Sequence, residues 1–313
     1  MEAPLLTDIP QYKSWTKIEK INYGWSEDIK FYIEDFKGSK FLLRISNIEK
    51  LEDKKKEFYI IQKYNQLNFK MSQAIELGVC NSGKNIYMLL SWVEGQSMED
   101  VIKTLSEQEQ YLLGLKSGKI LKAIHSLAVE PAHLPKVKKT GKKLIQLQQY
   151  ENSKYRVPND EKAISYVKEN INLMCQSEPV YEHGDFHIGN LVYTNEKDVG
   201  VIDFNRWECG DRYEEFYKLQ SFDVDLSIAF SIGQLHGYFD GEPTLDFWKI
   251  QAVYVAHSAL FSIEWAVRFG EKDIANMTRI CHNAFRDYDN FKLIIPKWYT
   301  ENKDRFIKIM KRD

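Results

Sequence analysis

The sequence predicts an α+β protein of two lobes, a small β-rich N-terminal lobe with one helix and a larger, mainly helical C-terminal lobe. Three features predict it. Roughly the first ninety residues are short Ile-, Tyr- and Phe-rich runs around a single helical pattern; beyond them helical periodicity dominates; and a Gly- and His-bearing segment at 183–190, followed by two brief apolar runs, interrupts those helices.

In order, Thr16–Asn22, Glu27–Glu34 and Lys40–Ser46 read as strands, with a hairpin turn at Asp35–Ser39. Glu49–Leu67 places Leu51, Phe58, Ile61 and Tyr64 at helical spacing with lysines opposite. Ala74–Val79 and Asn85–Ser91 read as two further strands, joined by Asn81-Ser82-Gly83. Trp92–Gly95 reads as a linker, which divides the chain into lobes at 1–93 and 94–313. Ser106-x-x-Glu109 is a capping-box signature opening a helix that runs to about Ser126, and Asn159–Gln176 reads as another. Leu191–Tyr193 and Val199–Ile202 form a predicted hairpin around a polar turn, and helices resume from Tyr213. The lysine cluster Lys136–Lys143 reads as a solvated loop or helix start.

At 313 residues the chain has room for about two domains, and 43% hydrophobic with 28% charged residues is ordinary globular usage. A formal net charge of −2 offers no basic field for nucleic acid or an anionic membrane. Cys80, Cys175, Cys209 and Cys281 lie far apart and read as reduced thiols of a cytoplasmic protein. Residues 1–10 lack signal-peptide character. Phe247–Trp265, the most apolar stretch of the second lobe, is broken by Lys249, Gln251, His257 and Glu264, so a buried or amphipathic helix is expected there.

The chemistry concentrates between 183 and 203. Phosphoryl transfer needs metal ions on the phosphates, a group that positions or deprotonates the acceptor hydroxyl, and a cation on the donor. His183-Gly184-Asp185 is followed five positions on by Asn190, and the predicted hairpin then leads to Ile202-Asp203-Phe204. This is the order and offset of the base Asp, metal Asn and metal Asp in kinases. Two carboxylates and one amide are hard oxygen ligands suited to magnesium.

The run His183-Gly184-Asp185-Phe186-His187-Ile188-Gly189-Asn190, with Ile202-Asp203-Phe204, resembles the signature of the aminoglycoside phosphotransferase family, whose relatives include choline, fructosamine and macrolide kinases. The resemblance implies a protein-kinase-like fold with ATP or GTP bound between the lobes. It implies Asp185 as catalytic base, Asn190 and Asp203 as magnesium ligands, and His183 and His187 as loop-shaping residues. It places the phosphate-holding cation at Arg44 at the end of the third strand, with Glu57 as its orienting partner and Glu52 as the substitute. It assigns the loop over the phosphates to Asn22–Ser26, with Gly24 and Ser26 at the nucleotide, and the hinge that reads the purine to Ser91–Glu94, with Trp92 and Val93 at its centre. Asp211 resembles the family's structural aspartate.

The expected activity is transfer to a hydroxyl of a small molecule, with an antibiotic favoured as acceptor and a metabolite such as choline or a sugar as the competitor. For an amine-bearing acceptor, acids such as Glu208, Glu214, Glu215, Asp223, Asp225 and Glu264 would line the second lobe, and Trp207, Tyr213, Tyr217, Phe222, Tyr238 and Trp265 could stack on a ring. A transition-metal site at His183-x-Asp185-x-His187 and a nucleotide-binding homologue without turnover are the competing readings. The expected state is a monomer or homodimer.

Overall fold

The computed structural model describes residues 6–22 and 27–310, with the side chains of 308 and 310 excepted. Gly24 and Ser26 lie outside the described residues. The chain divides into two compact units, one of residues 1–96 with 192–205, the other of 97–191 with 206–313. The sequence of elements, a β-sheet unit followed by a mainly helical one, is the predicted α+β class.

In the first unit, β1 (Trp15–Ile21), β2 (Ile29–Asp35), β3 (Lys40–Asn47), β5 (Ala74–Cys80) and β6 (Asn85–Ser91) form an antiparallel sheet in the order β1-β2-β3-β6-β5. Strand alternation sends Phe31, Ile33, Leu43, Ile45, Tyr87 and Leu89 to one face, where Leu6 and Ile9 cover them. Arg44 and Ser46, one residue out of phase, are also buried. Helix α1 (Leu51–Tyr64) packs on β5 and β6 and buries Lys54, Glu57, Ile60, Ile61 and Tyr64 at helical spacing.

A second sheet of this unit runs β4-β10-β9-β7, from β4 (Lys70–Met71), β7 (Gly95–Ser97), β9 (Leu191–Thr194) and β10 (Val199–Val201). Residues 95–97, at the end of the predicted linker, are therefore extended and paired. The β9–β10 turn is closed by the Thr194 N–H donating to the Asp198 carbonyl at 2.9 Å.

The second unit is built on α2 (Glu107–His125) and α5 (Ile228–Phe239). The capping box at Ser106 and Glu109 is formed, which satisfies orphan amides of the first turn. The two helices meet through two pairs of glycines spaced four apart, Gly114 and Gly118 on α2, Gly233 and Gly237 on α5. A Cβ added at each would lie 2.2, 2.0, 2.2 and 2.0 Å, respectively, from the backbone carbonyl oxygens of Phe230, Gln234, Tyr111 and Leu115. The backbones touch where side chains would normally hold helices about 8–10 Å apart.

Helices α3 (Thr140–Glu151) and α4 (Glu161–Asn170) pack on α6 (Leu245–Ala266), which also packs on α7 (Glu271–Asp287). Helix α4 is shorter than predicted at both ends, because Asn159 has a left-handed φ of +62 before it and a 3-10 turn takes over at Ile171–Leu173. Helix α6 contains the apolar stretch at 247–265 and buries Ala252–Leu260 in the core of this unit. Among the described residues no helix is long and apolar enough to cross a membrane.

The glycine crossing sets a stability test. Replacing Gly118 by Ala gains up to about 1 kcal/mol of helix propensity, but overpacking against an unyielding carbonyl costs about 1–3 kcal/mol or more. The clash wins, so the urea midpoint of Gly118→Ala falls. Gly141→Ala in α3, where an added Cβ meets nothing within 4 Å, raises the midpoint by the equivalent of about 0.5–1 kcal/mol. Equal effects of the two changes would contradict the backbone-contact packing.

Candidate active site

Strand β8 (Val180–Glu182) leads into the loop 183–190, which ends in a 3-10 turn at Ile188–Asn190 before β9. Gly184 has φ +79, and a Cβ there would lie 1.8 Å from the Arg206 carbonyl oxygen, so only glycine fits. The two histidines act alike. His183 Nδ1 accepts the Asp185 N–H at 3.2 Å, and His187 Nδ1 accepts the Gly189 N–H at 3.1 Å.

Two buried carboxyl groups carry the rest of the loop backbone. Glu215 accepts the N–H groups of His183 and Gly184 at 2.9 and 2.7 Å. Burial alone would raise its pKa, but the His125 ring at 3.2 Å, His183 and the loop amide outweigh it and hold the pKa below the ordinary value. Asp223 accepts the Ile188 N–H at 2.9 Å from a five-residue π-helical stretch, Leu219–Asp223. Burial pushes the Asp223 carboxyl well above the usual range, more than that amide offsets.

Asp185, the predicted base, faces two cations and an imidazole ring. Lys218 Nζ donates directly to Oδ1, Arg206 Nε lies 3.6 Å from Oδ2, and His187 Nε2 lies 3.7 Å from Oδ1. Burial would raise the Asp185 pKa, yet Lys218, His187 and Arg206 hold it well below the carboxylate range. Asn190 donates its amide to the Asp185 carbonyl at 2.8 Å, which orients the side chain.

The competing transition-metal arrangement does not form. Among the described residues the ligand atoms of His183, Asp185 and His187 do not gather as a metal site, and the acidic group that does gather is Glu182, Glu208 and Glu214. Lys139 projects into that group, 2.6 Å from Glu208, 3.0 Å from Glu214 and 3.6 Å from Glu182, and Lys143 lies 2.6 Å from Glu214. The half-buried Lys139 and the buried Lys143 are thus ion-pair partners, whereas Lys136, Lys138 and Lys142 are exposed at the start of α3, as the solvated helix-start reading expects.

In the first unit, Arg44 is 2% exposed and pairs with Glu57 directly and with Asp28 through Nε at 2.9 Å. Lys54 completes a network of two cations and two carboxylates, 2.7 Å from Asp28 and 2.9 Å from Glu57. Glu52 is exposed and pairs with Lys55, so the partner of Arg44 on α1 is Glu57. Asp203 has φ +63 and faces Lys30 Nζ at 3.4 Å, while the following Phe204 packs on Tyr64 of α1 with ring centroids 5.5 Å apart. The Trp92 N–H donates to the Lys40 carbonyl at 3.0 Å, and its ring meets Tyr32 edge-on. That amide is engaged as a sheet donor.

Asn190 turns its amide nitrogen to the loop and leaves its oxygen as acceptor; an amide oxygen and a carboxylate such as that of Asp203 are the hard donor types that magnesium takes. Reading the sequence missed Asp28, Lys30, Lys54, Arg206 and Lys218. Lys54 and Glu57, three apart on a helix, carried a local signal for pairing; Lys218, 33 residues from Asp185, carried none.

A cavity of about 300 Å³ opens within the second unit beside these groups, and Arg206 and Lys218 line it. Of the acids expected there, Glu208 and Glu214 line the cavity, while Glu215 and Asp223 hold the loop backbone. Asp211 accepts from the Cys175 N–H at 2.7 Å and the Tyr254 hydroxyl at 2.8 Å, and Asp225 pairs with Arg279. Of the aromatics, Tyr217, Phe222 and Trp265 line the cavity, and Tyr238 packs in the core.

Two measurements test these networks. Removing Lys54 as Lys54→Met strips a partner from two buried carboxylates and should lower unfolding stability by about 3–5 kcal/mol. For Glu214, burial is outweighed by Lys143 and Lys139, which hold its pKa down to about 2. A depressed folded-state pKa stabilises above the unfolded value of roughly 4.3 and is lost as pH falls toward 2. Stability should therefore drop across that window, and Glu214→Gln should show a shallower drop in chemical denaturation at stepped pH.

The sequence profile described as the phosphotransferase enzyme family matches residues 17–248. No curated protein sequence matches the chain. Among solved structures, the GDP complex of a point mutant of aminoglycoside 2'-phosphotransferase-IIIa is similar with a TM-score of 0.72 and 15% identity, over 92% of this chain and 97% of that one. The apo form of a thermostable mutant of aminoglycoside phosphotransferase APH(4)-Ia is similar with a TM-score of 0.68 and 16% identity, over 91% and 98%. Amicoumacin kinase hAmiN is similar with a TM-score of 0.64 and 13% identity, over 91% and 92%. With its fold, its 183–203 signature and a profile match over most of its length, the chain belongs to the phosphotransferase enzyme family, that of the aminoglycoside phosphotransferases.

Proposed function

We propose that the protein is a magnesium- and nucleotide-dependent phosphotransferase that phosphorylates a hydroxyl group of a small molecule. The observation that carries this reading is Asp185, held ionised on a loop whose backbone is fixed by Glu215 and Asp223. In a loose phosphoryl-transfer transition state the acceptor hydroxyl needs orientation more than a strong base. A carboxylate kept ionised by Lys218 and Arg206 meets that need, because it accepts the hydroxyl hydrogen bond and takes the proton late.

Asn190 and Asp203 would hold magnesium, which supplies neutralisation of the donor phosphates. Arg44, oriented by Glu57 and Asp28, would hold the donor phosphates with Lys54 beside it. The Trp92 carbonyl and Val93 would supply the purine contacts, and Gly24 and Ser26 the phosphate loop. Donors are ATP or GTP; structural neighbours are solved with GDP, ADP and AMP-PNP. A cytoplasmic location draws support from four cysteines that are all unpaired.

An antibiotic acceptor draws support from neighbours solved with gentamicin and hygromycin B. A metabolic acceptor is the second reading, favoured by the cations lining the cavity.

A coupled assay of MgATP and MgGTP turnover across hydroxylated antibiotics and metabolites tests the reading. Asp185→Ala should lower turnover by about 10²–10⁴-fold while nucleotide still binds. Asp203→Ala should raise the magnesium and nucleotide concentrations required. Full turnover in the Asp185 variant would sink the role given to that carboxylate.

A further inference from the structure

The cavity beside Asp185 has a charge balance that selects its occupant. Five cationic side chains line it, Lys139, Lys142, Lys143, Arg206 and Lys218, against two carboxylates, Glu208 and Glu214. Glu208 pairs with Lys139 at 2.6 Å and Glu214 with Lys143 at 2.6 Å, so those four charges cancel. Asp185 faces both Lys218 and Arg206 and cancels only one of them. Lys142 is exposed, and no pairing carboxylate accompanies it among the described residues. Two positive charges are thus left over; with the buried Glu182, 3.6 Å from Lys139, also counted as ionised, one remains.

The remaining wall combines aromatic rings with the polar side chains of Gln146, His257, Ser258 and Ser262. Tyr217, Phe222, Phe261 and Trp265 line it, and Lys218 lies over the rings of Tyr217 and Phe222 at 5.1 and 5.6 Å. A volume of about 300 Å³ is at the small end of ligand sites. An ammonium group brought to Asp185 would meet Lys218 and Arg206 first, and like charges at such distances repel strongly where water is excluded.

Resting on the phosphotransferase reading above, we infer that this cavity takes a compact acceptor carrying an anionic group beside an apolar or aromatic ring, and rejects polycationic aminoglycosides. The anion lies toward Arg206 and Lys142, the ring against Trp265 and Phe222, and the hydroxyl at Asp185. A carboxylate and a phosphate share this chemistry, since a guanidinium fork donates to either.

The test is calorimetric titration of the full chain with a charge series on one ring. The series is 3-phenyllactate (anionic), 3-phenylpropane-1,2-diol (neutral) and phenylalaninol (cationic), with phenyl phosphate as the second anion and kanamycin as the polycation. The expected result is an anion bound roughly tenfold or more tighter than phenylalaninol and kanamycin, with the tighter of the two anions identifying carboxylate or phosphate. Lys142→Glu, at an exposed position that does not threaten the fold, should erase most of that preference. Tighter binding of phenylalaninol or kanamycin, binding of none of the series, or a preference untouched by Lys142→Glu overturns the inference. The series is run with and without MgATP or MgGTP. Failure of nucleotide to bind strikes the phosphotransferase reading, whereas a reversed charge order with nucleotide bound strikes this inference alone.

Discussion

The buried carboxylate of Glu215 is the contact on which the rest of the 183–190 loop depends. A tight turn such as 183–185 cannot place its amides in a ladder, and a buried amide left unpaired costs about as much as a lost hydrogen bond. Glu215 accepts two successive amides, and Asp223 accepts a third further along. The π-helical stretch at 219–223 is the kind of local widening found at functional sites. It lies directly after Lys218, so the same segment supplies a cation to the Asp185 carboxylate and a carboxyl to the loop backbone.

Glu215 is in turn held by the helix pair beneath it. His125, at the last turn of α2, reaches Glu215 through Nε2 and the Tyr238 hydroxyl of α5 through Nδ1 at 2.9 Å. That three-residue chain requires α2 and α5 to approach closely, which the glycines at 114, 118, 233 and 237 permit. The packing of two helices therefore reaches the 183–190 loop through one histidine and one carboxylate. Stability and loop geometry share these atoms.

Charge is apportioned differently in different parts of the molecule. Around Arg44 two cations meet two carboxylates in a buried network, the arrangement in which desolvation is best offset. Around Asp185 cations exceed carboxylates, which keeps that group ionised and gives the adjoining cavity its sign. Of the acids expected at a cation-binding wall, Glu215 and Asp223 are turned inward to hold backbone, and Glu208 and Glu214 are paired with lysines. The sign of the cavity follows from where these carboxylates are engaged.

The sequence by itself determined the class, the order of elements and the family motif at 183–203, because those are local properties. Strand alternation, helical spacing, the Ser106–Glu109 cap and the offset from Asp185 to Asn190 are written within a few residues of one another. The Gly-x-x-x-Gly spacings at 114–118 and 233–237 were also legible, but their meaning depended on which helix faced which. The tertiary structure alone decided that Lys218 and Arg206 flank Asp185, that Lys139 and Lys143 are paired with glutamates, and that the Trp92 amide is engaged in the sheet. These pairings join residues brought together only by packing, and the sign and size of a pocket are sums over such pairs. No periodicity along the chain encodes that sum.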